Sequence, residues 1–109
     1  MKFPKQGDFV ILSFDLQAGH EQQGRRPALV ISKESFNKAT GMAMVCPITN
    51  TNRGNPFHVP VPPSSTLSGV VMVDQVKSLD LVARRFQIIE NAPEDFVEEV
   101  LSILDACLF

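Results

Sequence analysis

Between two apolar runs lies a stretch, residues 15–25, that is almost wholly polar and ends by delivering Arg26 onto the next run. It is much longer than a hairpin needs. It holds His20, Glu21, Gln22, Gln23 and Arg25. An imidazole, a carboxylate and guanidinium groups so close together are the inventory for moving a proton and neutralising a phosphate. A solvated loop with incidental charges explains an isolated polar stretch about as well. The step from Arg26 to Pro27 is more specific. Proline fixes its own φ and biases the preceding residue towards an extended backbone, so the adjoining strand sets the direction of Arg26.

A second polar stretch, residues 47–56, again follows an apolar run and carries Thr49, Asn50, Thr51, Asn52 and Arg53. A threonine hydroxyl at a strand end can donate to a phosphate oxygen, and amides can read base edges, although the same residue types are common turn formers. A third cluster, residues 74–78, combines Asp74, Gln75 and Lys77, which between them can hydrogen-bond bases and phosphates. Any single one of these also reads as a solvated surface group. His58, on a run with edge-strand alternation, reads as a surface histidine rather than a catalyst. No metal-ligand spacing, glycine-rich phosphate loop or nucleophilic serine or cysteine motif is present, so neither a metal nor a cofactor is expected.

The elements that must position these groups are short. Residues 9–14, 27–32, 42–46, 57–61 and 69–73 are β-branched or alternating runs bounded by turn residues, which predicts at least five strands. Residues 34–39 suit a short helical turn before Gly41, and the prolines at 60, 62 and 63 mark a loop. Beyond Pro93 the pattern changes to helical spacing, with Phe96, Val97, Val100, Leu101, Leu104 and Leu108 on one stripe. The expected fold is mainly β with a C-terminal helix, a small, strongly bent antiparallel barrel.

With 109 residues and 44% hydrophobic content, residues 1–109 should form one domain. A core this thin makes shielding by self-association plausible, so a homodimer is expected. The N-terminus lacks a signal-peptide core and no stretch has the length to span a bilayer, which points to the cytoplasm and away from membranes. Cys46 and Cys107 sit among apolar neighbours and read as two buried free thiols. The formal charge of -2 hides an asymmetry. Residues 1–89 hold all 10 Lys and Arg against six acids, a balance of +4, while residues 90–109 hold six acids and no base. A basic local surface can bind phosphates on an acidic chain, and ordinary solvated charges with an acidic last helix fit the same counts.

Taken together, Gly7-Asp8, the 18–28 segment with its His20-Glu21-Gln22-Gln23-Gly24 and Arg26-Pro27 steps, Pro47-Ile48-Thr49, Gly69-Val70-Val71 and residues 74–78 resemble the MazF/PemK toxins of type II toxin–antitoxin systems. The resemblance runs from about Gly7 to Arg85. It implies an SH3-like barrel of the MazF/PemK/CcdB type, a homodimer, and sequence-specific cleavage of single-stranded RNA without metal. It also implies inhibition by a cognate MazE/PemI-like antitoxin whose disordered tail covers the active groove. Carried over by position, it makes Arg26, Thr49, Glu21 and His20 catalytic; from the polar clusters and their charge, Arg25, Asn50, Arg53, Asp74, Gln75 and Lys77 are expected to bind the RNA. One departure stands out. The PemK/Kid branch has a catalytic arginine in the fifth strand where this chain has Met72, which shifts the main role to Arg26.

The implied reaction is attack of a ribose 2′-OH on the adjacent phosphodiester, leaving a 2′,3′-cyclic phosphate and a 5′-OH. Two alternatives from other classes stand beside it. A CcdB-like toxin would poison DNA gyrase through its C-terminal helix, but its tryptophan near the C-terminus has no counterpart in a chain without Trp. A non-catalytic RNA- or protein-binding barrel would explain the polar loops equally well.

Overall fold

In the computed structural model, which describes residues 1–14 and 24–109, the central strands are apolar on both faces. That is the pattern of a sheet covered on each side. The elements are β1 (Asp8–Ser13), β2 (Arg25–Val30), α1 (Glu34–Thr40), β3 (Met42–Thr49), β4 (His58–Pro60), β5 (Val70–Met72), β6 (Lys77–Asp80), β7 (Gln87–Asn91) and α2 (Glu94–Leu108), with a 3-10 turn at Val73–Gln75. Strand order is β4-β5-β3-β2-β1-β7, and β6 also pairs with β3. Every ladder is antiparallel.

The five expected strands and the C-terminal helix are present, with strand ends shifted by at most three residues. β6 and β7 come in addition. The bent sheet is barrel-like but its ladders do not close among the described residues: β4 and β7 remain its two ends.

Alternation along each strand divides the core in two. Phe9, Leu29, Cys46, Ile48, Val71 and Val73 face α2 and pack on its Phe96, Val97 and Val100. Val10, Leu12, Ala28, Val30, Val45 and Leu79 face the other way, into a second cluster edged by Phe3, Phe14 and Phe86. Pro93 stands at the N-cap of α2, and Glu94 and Asp95 lie in its first turn, where the helix dipole favours negative charge. The helix outruns the sheet. Leu108 is 60% exposed, and Cys107, expected to be buried, is exposed. Helical spacing gave the apolar stripe correctly but carries no information on where the stripe leaves the body it packs on.

β3 organises the sheet. One edge pairs with β2 through Val45, Cys46 and Pro47. The other edge pairs with β6 along Met42–Val45 and then with β5 through Ile48 and Thr49. Val45 pairs with Lys77 and Ile48 with Val71, so the two residues 46 and 47 on β3 lie opposite the five residues 72–76. The surplus is thrown out as the 3-10 turn, which acts as an enlarged bulge.

A buried polar network ties α1 to this frame. Asn37, fully buried, donates through Nδ2 to the carbonyls of Pro4 (2.9 Å) and Ser32 (3.3 Å) and accepts from the Ser32 hydroxyl (2.6 Å). The same hydroxyl oxygen accepts the Met44 N–H at 2.9 Å. Truncation strands several of these groups away from water. Asn37→Ala should therefore cost about 2–3 kcal/mol of unfolding free energy, measured by denaturant titration at one protein concentration. A loss below about 0.5 kcal/mol would mean that water replaces the amide freely.

Candidate active site

The three sequence clusters meet where β3 changes partner. A cleft of about 310 Å³ is lined by Phe14, Gly24, Arg26, Pro47, Met72, Gln75 and Lys77. Phe14 and Gly24 flank residues 15–23 and are joined by a hydrogen bond from the Phe14 N–H to the Gly24 carbonyl at 2.8 Å. His20 and Glu21 fall within residues 15–23 and lie outside the described residues. The flanking residues are fixed from a distant turn. Arg84 Nη1 donates to the carbonyls of Ser13 and Phe14, while Arg25 Nη1 donates to the Arg85 carbonyl (2.9 Å) and reaches Ser13 Oγ at 3.4 Å.

Successive residues of β2 point to opposite faces, so Arg25 and Arg26 part company. Arg25 turns to the Arg84–Arg85 turn, whereas Arg26 lines the cleft and is exposed. Lys77 lies on the far side with its ammonium 5.9 Å from the Phe14 ring centroid, within cation–π range. Gln75 is presented by the 3-10 turn between them.

Thr49 ends β3. Continued by two residues beyond the Ala28–Pro47 pair, the β2–β3 register brings Arg26 level with Thr49. The Thr49 Oγ1 accepts the Thr51 N–H at 3.2 Å, and its own O–H, without an acceptor among the described residues, can donate to a ligand. Backbone approach here is close. Gly69, at φ +111°, lies so near the Thr49 carbonyl that a Cβ would overlap its oxygen, and the neighbouring Ser68 Oγ donates to Asn50 Oδ1 at 3.1 Å. Glycine at 69 thus meets both a backbone and a packing requirement.

The 47–56 stretch is partly what its composition allowed as the plainer reading. Asn52 and Asn55 spend their side-chain oxygens on the backbone N–H groups of Gly54 and Phe57. Arg53 is exposed at the loop and is not among the residues lining the cleft.

His58 corrects the sequence reading. Its side chain is only 12% exposed, and its Nε2 lies 3.1 Å from Asp74 Oδ1. His58 pairs with Met72 across the β4–β5 ladder, so it shares a sheet face with a cleft residue. Alternation with buried Val59 suggested an outward side chain. The covering turn that carries Asp74 follows from register, which the local pattern does not contain. Phe14, read only as the end of a strand, and Pro47, read as the start of the second polar stretch, were not named as cleft residues, because that placement too depends on register.

A family model described as the PemK-like, MazF-like toxin of type II toxin-antitoxin systems matches residues 5–108. The chain belongs to that family. It is 45% identical to the endoribonuclease toxin ChpB of Escherichia coli K12, over 94% of this chain and 91% of the relative. It is 42% identical to the E. coli K12 endoribonuclease toxin MazF, over 74% and 72%. Among solved structures, MazF of Deinococcus radiodurans superimposes with a TM-score of 0.89 at 44% identity, covering 99% of this chain and 98% of that one. The antiparallel sheet with a C-terminal helix is therefore the architecture of MazF/PemK toxins, a family whose relatives of this chain are endoribonucleases.

The thiol nearest the site is not a nucleophile. Burial first, then the charge of Asp74 and then Cys107, pushes the Cys46 thiol up to about 12. The reactive species is the thiolate, so at pH 8 only about one molecule in ten thousand carries it. Iodoacetamide at pH 8 should alkylate exposed Cys107 and leave Cys46 untouched until the protein is unfolded, as read by mass spectrometry of the digested chain. Rapid labelling of Cys46 in the folded protein would contradict its placement in the core.

Proposed function

We propose that this MazF/PemK-family chain is a metal-independent, sequence-specific endoribonuclease for single-stranded RNA, and that residues 1–109 act as one toxin domain in the cytoplasm. The observation that carries the reading is the cleft. It gathers Arg26, Gln75 and Lys77 with Phe14 and Gly24, in a chain 45% identical to an endoribonuclease toxin.

Each residue has a role in the reaction. The ribose 2′-oxygen attacks the adjacent phosphorus and loses its proton to Glu21 or His20. The bond from phosphorus to the 5′-oxygen breaks, and that oxygen leaves with a proton, which Arg26 can donate. The products are a 2′,3′-cyclic phosphate and a 5′-OH. Arg26 stabilises first: its planar fork donates to two phosphoryl oxygens as their charge grows. The O–H of Thr49 adds a neutral donor at the same phosphate. Gln75 and Lys77 in the cleft, with Asp74 beside them and the exposed Asn50 and Arg53, hold the flanking nucleotides, while Arg25, expected among them, is bound to the Arg85 carbonyl and braces the scaffold.

The partner proteins are proposed on similar grounds. MazE–MazF complexes of D. radiodurans superimpose on this chain, one with a TM-score of 0.90 at 41% identity. A cognate MazE/PemI-like antitoxin would place an acidic, disordered segment in the basic cleft, and two toxin chains would pair as a homodimer. Antitoxin and RNA should then compete. A cleavage assay titrated with the antitoxin should lose activity in step with binding, and tight binding with undiminished cleavage would rule out a shared groove.

The decisive substitution is Arg26→Lys, assayed in EDTA. Lysine keeps the charge but loses the fork, so a role in attracting RNA survives the change and bidentate transition-state stabilisation does not. Single-turnover cleavage of a short RNA should fall about a hundredfold, on the order of 3 kcal/mol. Binding of the 2′-deoxy version, which lacks the nucleophile, should change only modestly. Near-normal cleavage, or a loss accounted for by weaker binding, would reduce Arg26 to an RNA-holding residue. No cleavage by the unaltered protein in EDTA would overturn the metal-independent reading.

A further inference from the structure

We infer that His58 is a positioning residue: it holds the Asp74 carboxylate at the rim of the cleft so that the remaining oxygen accepts a hydrogen bond from an amino group of an RNA base. The inference rests on the endoribonuclease reading and deepens it by assigning a base-reading pair.

Three features carry it. The first is the contact of 3.1 Å between His58 Nε2 and Asp74 Oδ1, made by a side chain only 12% exposed to one 38% exposed. The histidine is thus walled in while the carboxylate faces outward. The second is the other ring nitrogen. Nδ1 is buried and has no hydrogen-bond partner among the described residues. A protonated Nδ1 would bury an N–H donor without an acceptor, whereas a bare Nδ1 strands only a lone pair. Nε2 is therefore the ring nitrogen that presents its proton to Asp74. His58 thus acts as an oriented donor to the carboxylate.

The third feature is position. His58 faces the same way as Met72, a lining residue, and Asp74 adjoins Gln75, another. The strand end is itself secured, since the Val73 N–H donates to the Phe57 carbonyl at 3.1 Å and the His58 N–H to the Asn55 carbonyl at 3.0 Å. Histidine and aspartate thus sit on two elements stitched together at their backbones, which fixes the carboxylate without the entropy cost of a long side chain.

The chemistry selects the ligand. An ionised carboxylate repels phosphate and accepts without donating, so its RNA partner is a base edge that presents N–H. In unpaired RNA the Watson–Crick edges are open to such contacts. A base with an amino group at that edge is favoured over one with a carbonyl, where two acceptors would face each other.

The test varies short RNAs one base at a time around the site cut by the unaltered protein and compares kcat/KM for amino-bearing and carbonyl-bearing bases. The unaltered protein should prefer the amino base about tenfold or more at one position. His58→Leu and Asp74→Ala should each bring that preference to within about twofold, and the double variant should go no further than either alone. His58→Gln, which can present an amide N–H close to the place of Nε2, should keep the preference. Unchanged preference in His58→Leu, an equal loss at every base, or failure of glutamine to rescue where Asp74→Ala remains folded would overturn the inference. Nitrogen-15 NMR of the His58 ring separates this result from a failure of the endoribonuclease reading. A protonated Nε2 whose signal moves in Asp74→Ala supports the pair even if the protein cuts no RNA, and a ring protonated on Nδ1 alone overturns it.

Discussion

The arrangement of the site depends on a mismatch in strand register. The edge of β3 that faces away from β2 is served by one continuous stretch of chain in two ladders, β5 and β6, and the two are out of step by three residues. Side chains alternate faces with a period of two, so an odd offset moves every later residue to the opposite face. The core shows the result. Val71 and Val73 belong to the cluster under α2, whereas Leu79, which plain alternation would place with them, belongs to the other. The inserted turn lets one chain segment contribute to both cores. Its polar residues, Asp74 and Gln75, are expelled at the same point, and the rim of the cleft is made of what the sheet could not pair. Pro47 lies opposite this turn and brings no N–H to either ladder, so the break costs β3 no unpaired donor at that residue.

The other wall of the cleft is held by a different device. Between β1 and β2, Phe14 and Gly24 flank residues 15–23, and the chain ends on either side of that segment are fixed. The hydrogen bond from Phe14 to Gly24 joins the ends, and the 81–86 turn braces them from outside through Arg84 and through the carbonyl that receives Arg25. The two arginines that looked equivalent in sequence therefore divide their duties. One is bound into the scaffold and the other is left to face the cleft.

How much of this was legible in the sequence follows from the range of each signal. The Arg26-Pro27 step is local, and it correctly marked an arginine directed by a strand. Helical spacing after Pro93 and the β-branched runs are also local, and they gave the helix and the five strands. β6 and β7 escaped because they show little of the apolar alternation that marks a strand: in β6 only Leu79 is buried, and β7 is at most half-buried. The pairing of His58 with Asp74 spans 16 residues and depends on the β4–β5 register and on the length of the turn after β5. Neither is written in the neighbourhood of His58, where alternation with Val59 spoke for a surface position.

Charge is segregated across the fold. A chain with formal charge -2 would seem a poor ligand for a polyanion, yet no residue of the acidic helix α2 lines the cleft, whereas Arg26 and Lys77 do. Glu94, Glu98 and Glu99 are exposed on α2, which covers the opposite core from the one edged by Phe14. Screening over a Debye length of about 8 Å at physiological salt makes the local charges decide contact, while the acidic helix disfavours phosphate on its own face. Segregating charge in this way gives a small domain a preferred side for RNA without making the whole chain basic. It leaves on that one side a cleft whose cations, Arg26 and Lys77, suit an anionic ligand.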